Sequence, residues 1–103
     1  MTLGELITAL EQLPADKVVA YGFRKPHSYR GYYDQLAFVP TDGVTIASML
    51  ADARSALGNT YDGWKGGEFT MSEWTDVWLA EIGCCGEPMT SANVREWKRG
   101  GER

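Results

Sequence analysis

The sequence is poor in the residues that carry most enzymatic chemistry, with one histidine and two cysteines among its 103 residues. His27 cannot form a metal cluster by itself, and Cys84-Cys85 has the spacing of neither a zinc ribbon nor a redox pair. Adjacent cysteines bridge only through a strained ring, so we expect free thiols in a reducing compartment. Nothing in the sequence brings either cysteine to His27 as a nucleophilic pair. We therefore predict no metal site, no cofactor and no catalytic residue.

Long hydrophobic runs are also missing. No apolar run approaches the roughly 18 residues that a membrane-spanning helix needs. The start of the chain, Met1 to Glu5, lacks the basic and hydrophobic segments of a secretory signal. The hydrophobic fraction of 44% is that of a globular protein, and the length suits one domain over residues 1–103. We therefore expect a single cytoplasmic domain with no membrane partner.

Positive charge is scarce in the middle of the chain, where nine acidic residues stand against two basic ones between Gly31 and Asn93. Duplex binding needs many lysines and arginines, so a nucleic-acid polymer is not an expected partner. A basic island formed by Arg24, Lys25, His27 and Arg30 suits a small anion that carries one to three phosphates. The charged end at 95–103 is predicted to be a frayed tail.

Apolar periodicity and capping residues predict the order helix, strand, strand, helix, strand, strand. Thr2 and Glu5 form a capping-box pattern, and Thr45 is a plausible N-cap for the second helix. The expected elements are a helix over 3–13, a strand over 18–23, a strand over 32–39, a helix over 46–57, a strand over 68–71 and a strand over 75–81. Residues 24–28 and 82–88 are expected to be loops.

This order predicts an α+β fold in which both helices pack on one face of a small antiparallel sheet. The other face of such a sheet is left to solvent or to a partner. Four tryptophans and five tyrosines are many for a lone domain of this length. Homo-oligomerisation, as a dimer or an assembly of dimers, is a natural use for them.

The stretch from Asn59 to Met71 threads aromatic residues and one lysine through three glycines. Glycines let the backbone turn sharply or approach a ligand, so the pattern indicates a shaped loop. The rings can stack on a base or nicotinamide, or they can close a tight hairpin over the core. Lys65 is either a phosphate contact or an exposed loop lysine. The segment is not a Walker loop, since it lacks the spacer and the lysine followed by Ser or Thr.

Arg30 stands between Tyr29 and Tyr32 and is followed by a glycine. Stacking can hold its guanidinium while the planar fork faces a phosphate or a carboxylate. The alternative is an ordinary salt bridge to Asp34 or another acid. Both interpretations stay open on the residues alone.

Two blocks of the sequence, SYRGYYDQLA at 28–37 and LGNTYDGWKGGEFTM at 57–71, resemble segments of small phage-encoded proteins. In particular, the chain resembles the phage anti-Thoeris sponge family, whose members capture the cyclic ADP-ribose signal made by bacterial Thoeris immunity. The likeness in layout extends over 3–81, and the two blocks are its specific part. The charged stretch at 95–103 departs from the family, which leaves the identity of the ligand open.

Members of that family are non-catalytic, assemble from dimers, and bind glycocyclic ADP-ribose through aromatic and arginine side chains near subunit contacts. Some also hold cyclic oligonucleotides. The resemblance implies a phage-encoded protein of the bacterial cytoplasm that binds such a ligand without cleaving it. It implies Arg30 and Phe69 at the pocket, with the lesser candidates Tyr29, Tyr61 and Met71. The glycine-rich segment and the basic island add Lys65, Gly67, Thr70 and Arg24. The rival hypotheses are a protein-interaction module that blocks a host factor and a small hydrolase of the signal.

Overall fold

The computed structural model describes residues 1–29, 32–62, 68–81 and 86–99, and its elements confirm the α+β class. Within these residues no helix has the length and apolarity needed to cross a membrane. The helices are α1 (Leu3–Glu11), α2 (Ile46–Ala56) and α3 (Ser91–Arg99). The strands are β1 (Val18–Val19), β2 (Gly22–Tyr29), β3 (Tyr32–Thr41), β4 (Val44–Thr45), β5 (Thr60–Asp62), β6 (Glu68–Thr70), β7 (Val77–Leu79) and β8 (Glu87–Pro88).

Helix α1 begins at the predicted capping box. The Thr2 hydroxyl accepts a hydrogen bond from the backbone N–H of Glu5, and the Glu5 carboxylate accepts one from the backbone N–H of Thr2. Its buried residues are Leu3, Leu6 and Leu10, at the spacing of one helix face. The helix ends at Glu11, two residues before the expected end, because Gln12 already forms the C-cap.

Removing the N-cap hydroxyl should measurably weaken this helix. We expect Thr2→Ala to lower the free energy of unfolding by about 1 kcal/mol, because the N–H of Glu5 loses its acceptor. Urea denaturation followed by circular dichroism measures the change. Thr2→Ser keeps the hydroxyl and is the matched control, which should stay within about 0.5 kcal/mol of the parent. Equal losses in the two variants would contradict a role for the cap.

The predicted strand at 18–23 and the predicted loop at 24–28 are both corrected by the structure. Residues 18–19 pair with β4, the chain then bends, and β2 runs from Gly22 through the expected loop to Tyr29. Lys25 has a φ of +52°, and the register with β3 shifts between Arg24 and Pro26. A bulge thus admits a proline into β2, which is an edge strand of its sheet.

The main sheet is mixed, in the order β2-β3-β7-β8, so the prediction of a purely antiparallel sheet is wrong for one pair. Strand β7 runs parallel to β3, with Leu36 opposite Val77 and Phe38 opposite Leu79. The chain between them contains α2, which supplies the long crossover that parallel neighbours need. Strand β8 pairs antiparallel with β7, and it lies within the stretch expected to be a loop.

The hydrophobic core lies between one face of this sheet and the helices. Leu36, Phe38 and Val77 contribute from the sheet, and the rings of Phe23 and Phe38 lie 4.4 Å apart between centroids. Helices α1 and α2 both contribute to this cluster, as predicted. The fully or almost fully buried side chains of the two helices are Leu3, Leu6, Leu10, Ile46, Met49, Ala53 and Ala56.

A third helix, α3, also joins this core, which differs from the frayed tail predicted from Arg95 onward. The reason is Trp97, which is 2% exposed and packs against the ring of Phe23 at 5.7 Å. Its indole N–H donates to the backbone carbonyl of Tyr21 at 2.6 Å. One buried aromatic therefore fixes a helix that is otherwise mostly polar. Residues 100–103 of the predicted tail lie outside the described residues.

Candidate functional site

The glycine-aromatic stretch forms a two-stranded ribbon whose base is anchored in the core. Gly58 takes a φ of +85°, and its N–H donates to the carbonyl of Met71 at 2.8 Å. The N–H of Met71 in turn donates to the carbonyl of Asn59 at 2.9 Å. Positive φ is easily adopted by glycine, so Gly58 both ends α2 and turns the chain into the ribbon.

The register of the ribbon makes two predicted site residues direct partners. Tyr61 pairs with Phe69 between β5 and β6, and the preceding pair is Thr60 with Thr70. The hydroxyls of Thr60 and Thr70 lie 2.8 Å apart and share a hydrogen bond on the exposed surface. The strand predicted from Glu68 is confirmed. The backbone register of the ribbon thus places residues 61 and 69 directly opposite each other.

Several candidate residues fall outside the described part of the chain. These are Arg30, Lys65 and Gly67, together with the side chains of Tyr61 and Phe69. Their predicted ligand contacts therefore stay predictions. Cys84 and Cys85 also fall outside the described residues.

The elements that contain the two sequence blocks of the resemblance are neighbours in space. Strand β5 approaches β2, and β6 approaches β3, so the ribbon lies against the long β2–β3 hairpin. Tyr29 closes β2 and Tyr32 opens β3, which puts residues 30 and 31 at the connection of that hairpin in chain order. Two segments that are distant in sequence are thus neighbours in the fold.

Tyr29 is buried at 8% exposure, so it is positioned as a support within the protein. Its ring stacks on Trp78 with 4.2 Å between centroids and an interplanar angle of 8°. Its hydroxyl accepts a hydrogen bond from the N–H of Gly86 at 3.2 Å. Three contacts therefore fix Tyr29, the residue immediately before Arg30. They are its pairing with Tyr32 in the sheet, its stack on the Trp78 indole and its hydrogen bond from Gly86. A direct stacking contact with a ligand would have to displace one of these partners.

Trp78 is the residue that sequence reasoning missed. It lies opposite Ala37 on the face of the sheet away from the main core, with Ala37, Ala80 and Tyr29 as its cluster. Its indole nitrogen is buried and has no hydrogen-bond partner among the residues that the structure describes. The alternation of residues 77–80 puts Trp78 on the face opposite Val77, but a contact with Tyr29 has no signal in sequence. The stack depends on the parallel pairing of β3 and β7.

The remaining candidates have different surroundings. Met71 is 1% exposed and belongs to the main core, so its side chain anchors the ribbon from inside. Thr70 is exposed beside Thr60. Arg24 is exposed on β2 opposite Val39, and Lys25 is exposed at the bulge. The Nε2 of His27 donates to the carbonyl of Ala80 at 3.0 Å.

Two surface grooves lie elsewhere on the described part of the protein. The first, of about 500 Å³, runs along α1 beside Trp74. The second, of about 700 Å³, lies near Tyr21, Asp42 and Glu81. Of the predicted ligand-site residues that the structure describes, none lines either groove. Among the described residues, no group of three or more His, Cys, Asp or Glu side chains could hold a metal ion.

Comparisons with protein-family models, with curated proteins and with solved structures found no match for this chain.

Proposed function

We propose that this protein binds and sequesters a cyclic nucleotide immune signal of the glycocyclic ADP-ribose class, without cleaving it. It would act as a phage-encoded anti-defence protein in the bacterial cytoplasm. The ligand site would lie where the β2–β3 hairpin meets the β5–β6 ribbon. The observation that carries the proposal is the contact between these two elements, since they contain both sequence blocks of the resemblance.

The chemistry of these residues suits a ligand with purine and phosphate groups. Aromatic residues at 61 and 69 form a cross-strand pair in backbone register, and rings stack on bases of any identity. An arginine at 30 follows the anchored Tyr29, and a guanidinium binds phosphate oxygens through two parallel hydrogen bonds. Such a site needs no general base. Binding near −12 kcal/mol, a dissociation constant of about 1 nM, would serve to lower free signal by mass action.

Removing the guanidinium of Arg30 should strongly weaken capture of the cyclic nucleotide. We expect Arg30→Ala to weaken binding of glycocyclic ADP-ribose at least about a hundredfold, because loss of a charge-assisted phosphate contact costs several kcal/mol in a closed site. Isothermal titration calorimetry with the pure ligand measures the affinity. Arg54→Ala is the matched control, because Arg54 forms an exposed ion pair with Glu11 at 2.7 Å. Unchanged affinity in the Arg30 variant would remove this residue from the site.

The fate of the bound ligand separates sequestration from its rivals. The protein is incubated with glycocyclic ADP-ribose and then heat-denatured, and the supernatant is examined by chromatography. Intact released ligand supports sequestration, whereas a degraded ligand would identify a hydrolase. No uptake at all would favour a protein-interaction module. The same assay with a cyclic oligonucleotide tests the broader ligand class.

Self-association belongs to the same proposal. Val18 is 49% exposed and Leu57 is 44% exposed, which is the kind of apolar surface that a subunit contact covers. We expect a dimer or an assembly of dimers. Sedimentation equilibrium measures the mass, and a monomer at micromolar concentration would contradict this part of the proposal.

A further inference from the structure

A groove of about 500 Å³ is lined by helix α1 and by the turn that follows β6. The lining residues include the small residues Gly4 and Ala9 of α1, and Glu73 and Trp74 of the turn. Trp74 is 76% exposed, which is unusual for the largest apolar side chain. None of the candidate ligand residues that the structure describes lines this groove.

The backbone around this exposed tryptophan is tightly fixed. The N–H of Trp74 donates to the Ser72 hydroxyl, and the N–H of Ser72 donates to the Thr75 hydroxyl. The turn is also tied to α1, because the N–H of Gly4 donates to the Glu73 carbonyl at 2.9 Å. A Cβ at position 4 would lie 2.9 Å from that of Glu73, so only glycine permits this approach. The indole is thus presented on a preorganised turn, as in binding hot spots.

The negative charge of the residues that line the groove favours a positively charged ligand. Glu5 and Glu73 are the ionisable lining residues of the groove, and both are acidic. Among the described residues, no lysine or arginine lines it. An indole face beside carboxylates attracts a guanidinium or an ammonium through cation–π and ionic contacts, whereas phosphates are repelled.

We propose that this groove is a docking site for a polypeptide segment of another protein that carries an arginine or lysine side chain. The cation would lie on the Trp74 ring near the Glu73 carboxylate. The stem of the same side chain would cover the small residues of α1, since long basic side chains bury their methylenes against apolar surface. This activity goes beyond capture of a nucleotide signal, and it uses a different surface.

The test uses the full chain and three synthetic peptides of the same length. One alternates leucine with arginine, the second replaces each arginine with glutamine, and the third replaces each with glutamate. Binding is followed by ¹⁵N–¹H chemical shifts at increasing peptide concentration. We expect shifts at Thr8, Ala9 and the Trp74 indole with the arginine peptide. The glutamine peptide should bind at least about fivefold more weakly, and the glutamate peptide should leave these signals unchanged.

Substitutions then connect the binding to the groove. We expect Trp74→Ala to weaken the arginine peptide about fivefold or more, and Glu73→Gln to weaken it about threefold with a smaller dependence on salt. Tyr21→Ala is the matched control, because Tyr21 is 82% exposed and lies outside this groove. It should bind the peptide as the parent does. Thermal denaturation checks that each variant is folded.

Three outcomes would overturn the proposal. The three peptides could bind equally, the shifts could lie away from α1 and Trp74, or Trp74→Ala could leave the affinity unchanged. If peptides fail to bind and Trp74→Ala alters the sedimentation mass, the groove is a contact between copies of this chain. Because these readouts involve no nucleotide, their failure is separate from failure of the proposed sequestration.

Discussion

Trp97→Ala should lower the free energy of unfolding by about 3 to 5 kcal/mol, the range found when large buried aromatics are truncated. The indole is 2% exposed, packs on Phe23, and satisfies the carbonyl of Tyr21 through its N–H. Its removal leaves a cavity and an unpaired carbonyl at once. Urea denaturation measures the loss, and amide hydrogen exchange should show that α3 exchanges faster than α1 and α2.

Another tryptophan provides the control for this result. Trp74→Ala removes the same side chain from an exposed site, so its free energy of unfolding should stay within about 0.5 kcal/mol of the parent. Comparable losses at the two positions would mean that the effect follows from aromatic content and not from burial. A loss below about 1 kcal/mol at Trp97 would contradict the docking of α3.

Local signals predicted α1 and α2 well because the determinants of these two helices are close in sequence. Thr2 and Glu5 form the capping box that the spacing indicates, and Thr45 caps α2 by accepting from the N–H of Ser48 at 3.1 Å. The buried positions of α1 follow one face. Such elements depend on residues three or four positions apart, and the sequence displays those directly.

Elements that depend on distant partners were predicted less well. Residues 24–28 look like a loop because they are polar and contain Pro26, yet pairing with β3 holds them in a strand through a bulge at Lys25. The described part of the predicted tail, residues 95–99, is helical because Trp97 reaches a core built by residues far earlier in the chain. In both cases tertiary contacts outweighed local propensity.

The candidate site also has a part that depends on neighbouring residues and was predicted, and a part that depends on distant partners and was not. The glycines and aromatics between Asn59 and Met71 indicate a shaped loop with a strand from Glu68, and the structure adds a second strand, Thr60–Asp62, that pairs with Glu68–Thr70. The support of Tyr29 by Trp78 could not be predicted, because a parallel pairing across a helical crossover creates it. The position of Tyr29, the residue before Arg30, therefore depends on the strand pairing of the main sheet.

Gly86 contacts both Tyr29 and the end of β7. Its N–H donates to the Tyr29 hydroxyl, and a Cβ at this position would overlap the Leu79 carbonyl oxygen and lie 2.6 Å from the Cβ of Ala80. The Leu79 carbonyl belongs to the backbone, which cannot move aside as the end of a flexible side chain can. The absence of a side chain at residue 86 is thus what lets its backbone N–H reach the hydroxyl of Tyr29.

Gly86→Ala should therefore lower the free energy of unfolding by about 2 to 3 kcal/mol, and the melting temperature by about 10 °C, because the added methyl displaces backbone. Differential scanning calorimetry measures both. Gly43→Ala is the matched control: a Cβ there meets nothing within 4 Å, so only its φ of +66° opposes alanine, at about 1 kcal/mol. If the losses were equal, the close approach of Gly86 to Leu79 would cost no more than the positive φ of Gly43, which would contradict the role given to this approach in the support of Tyr29.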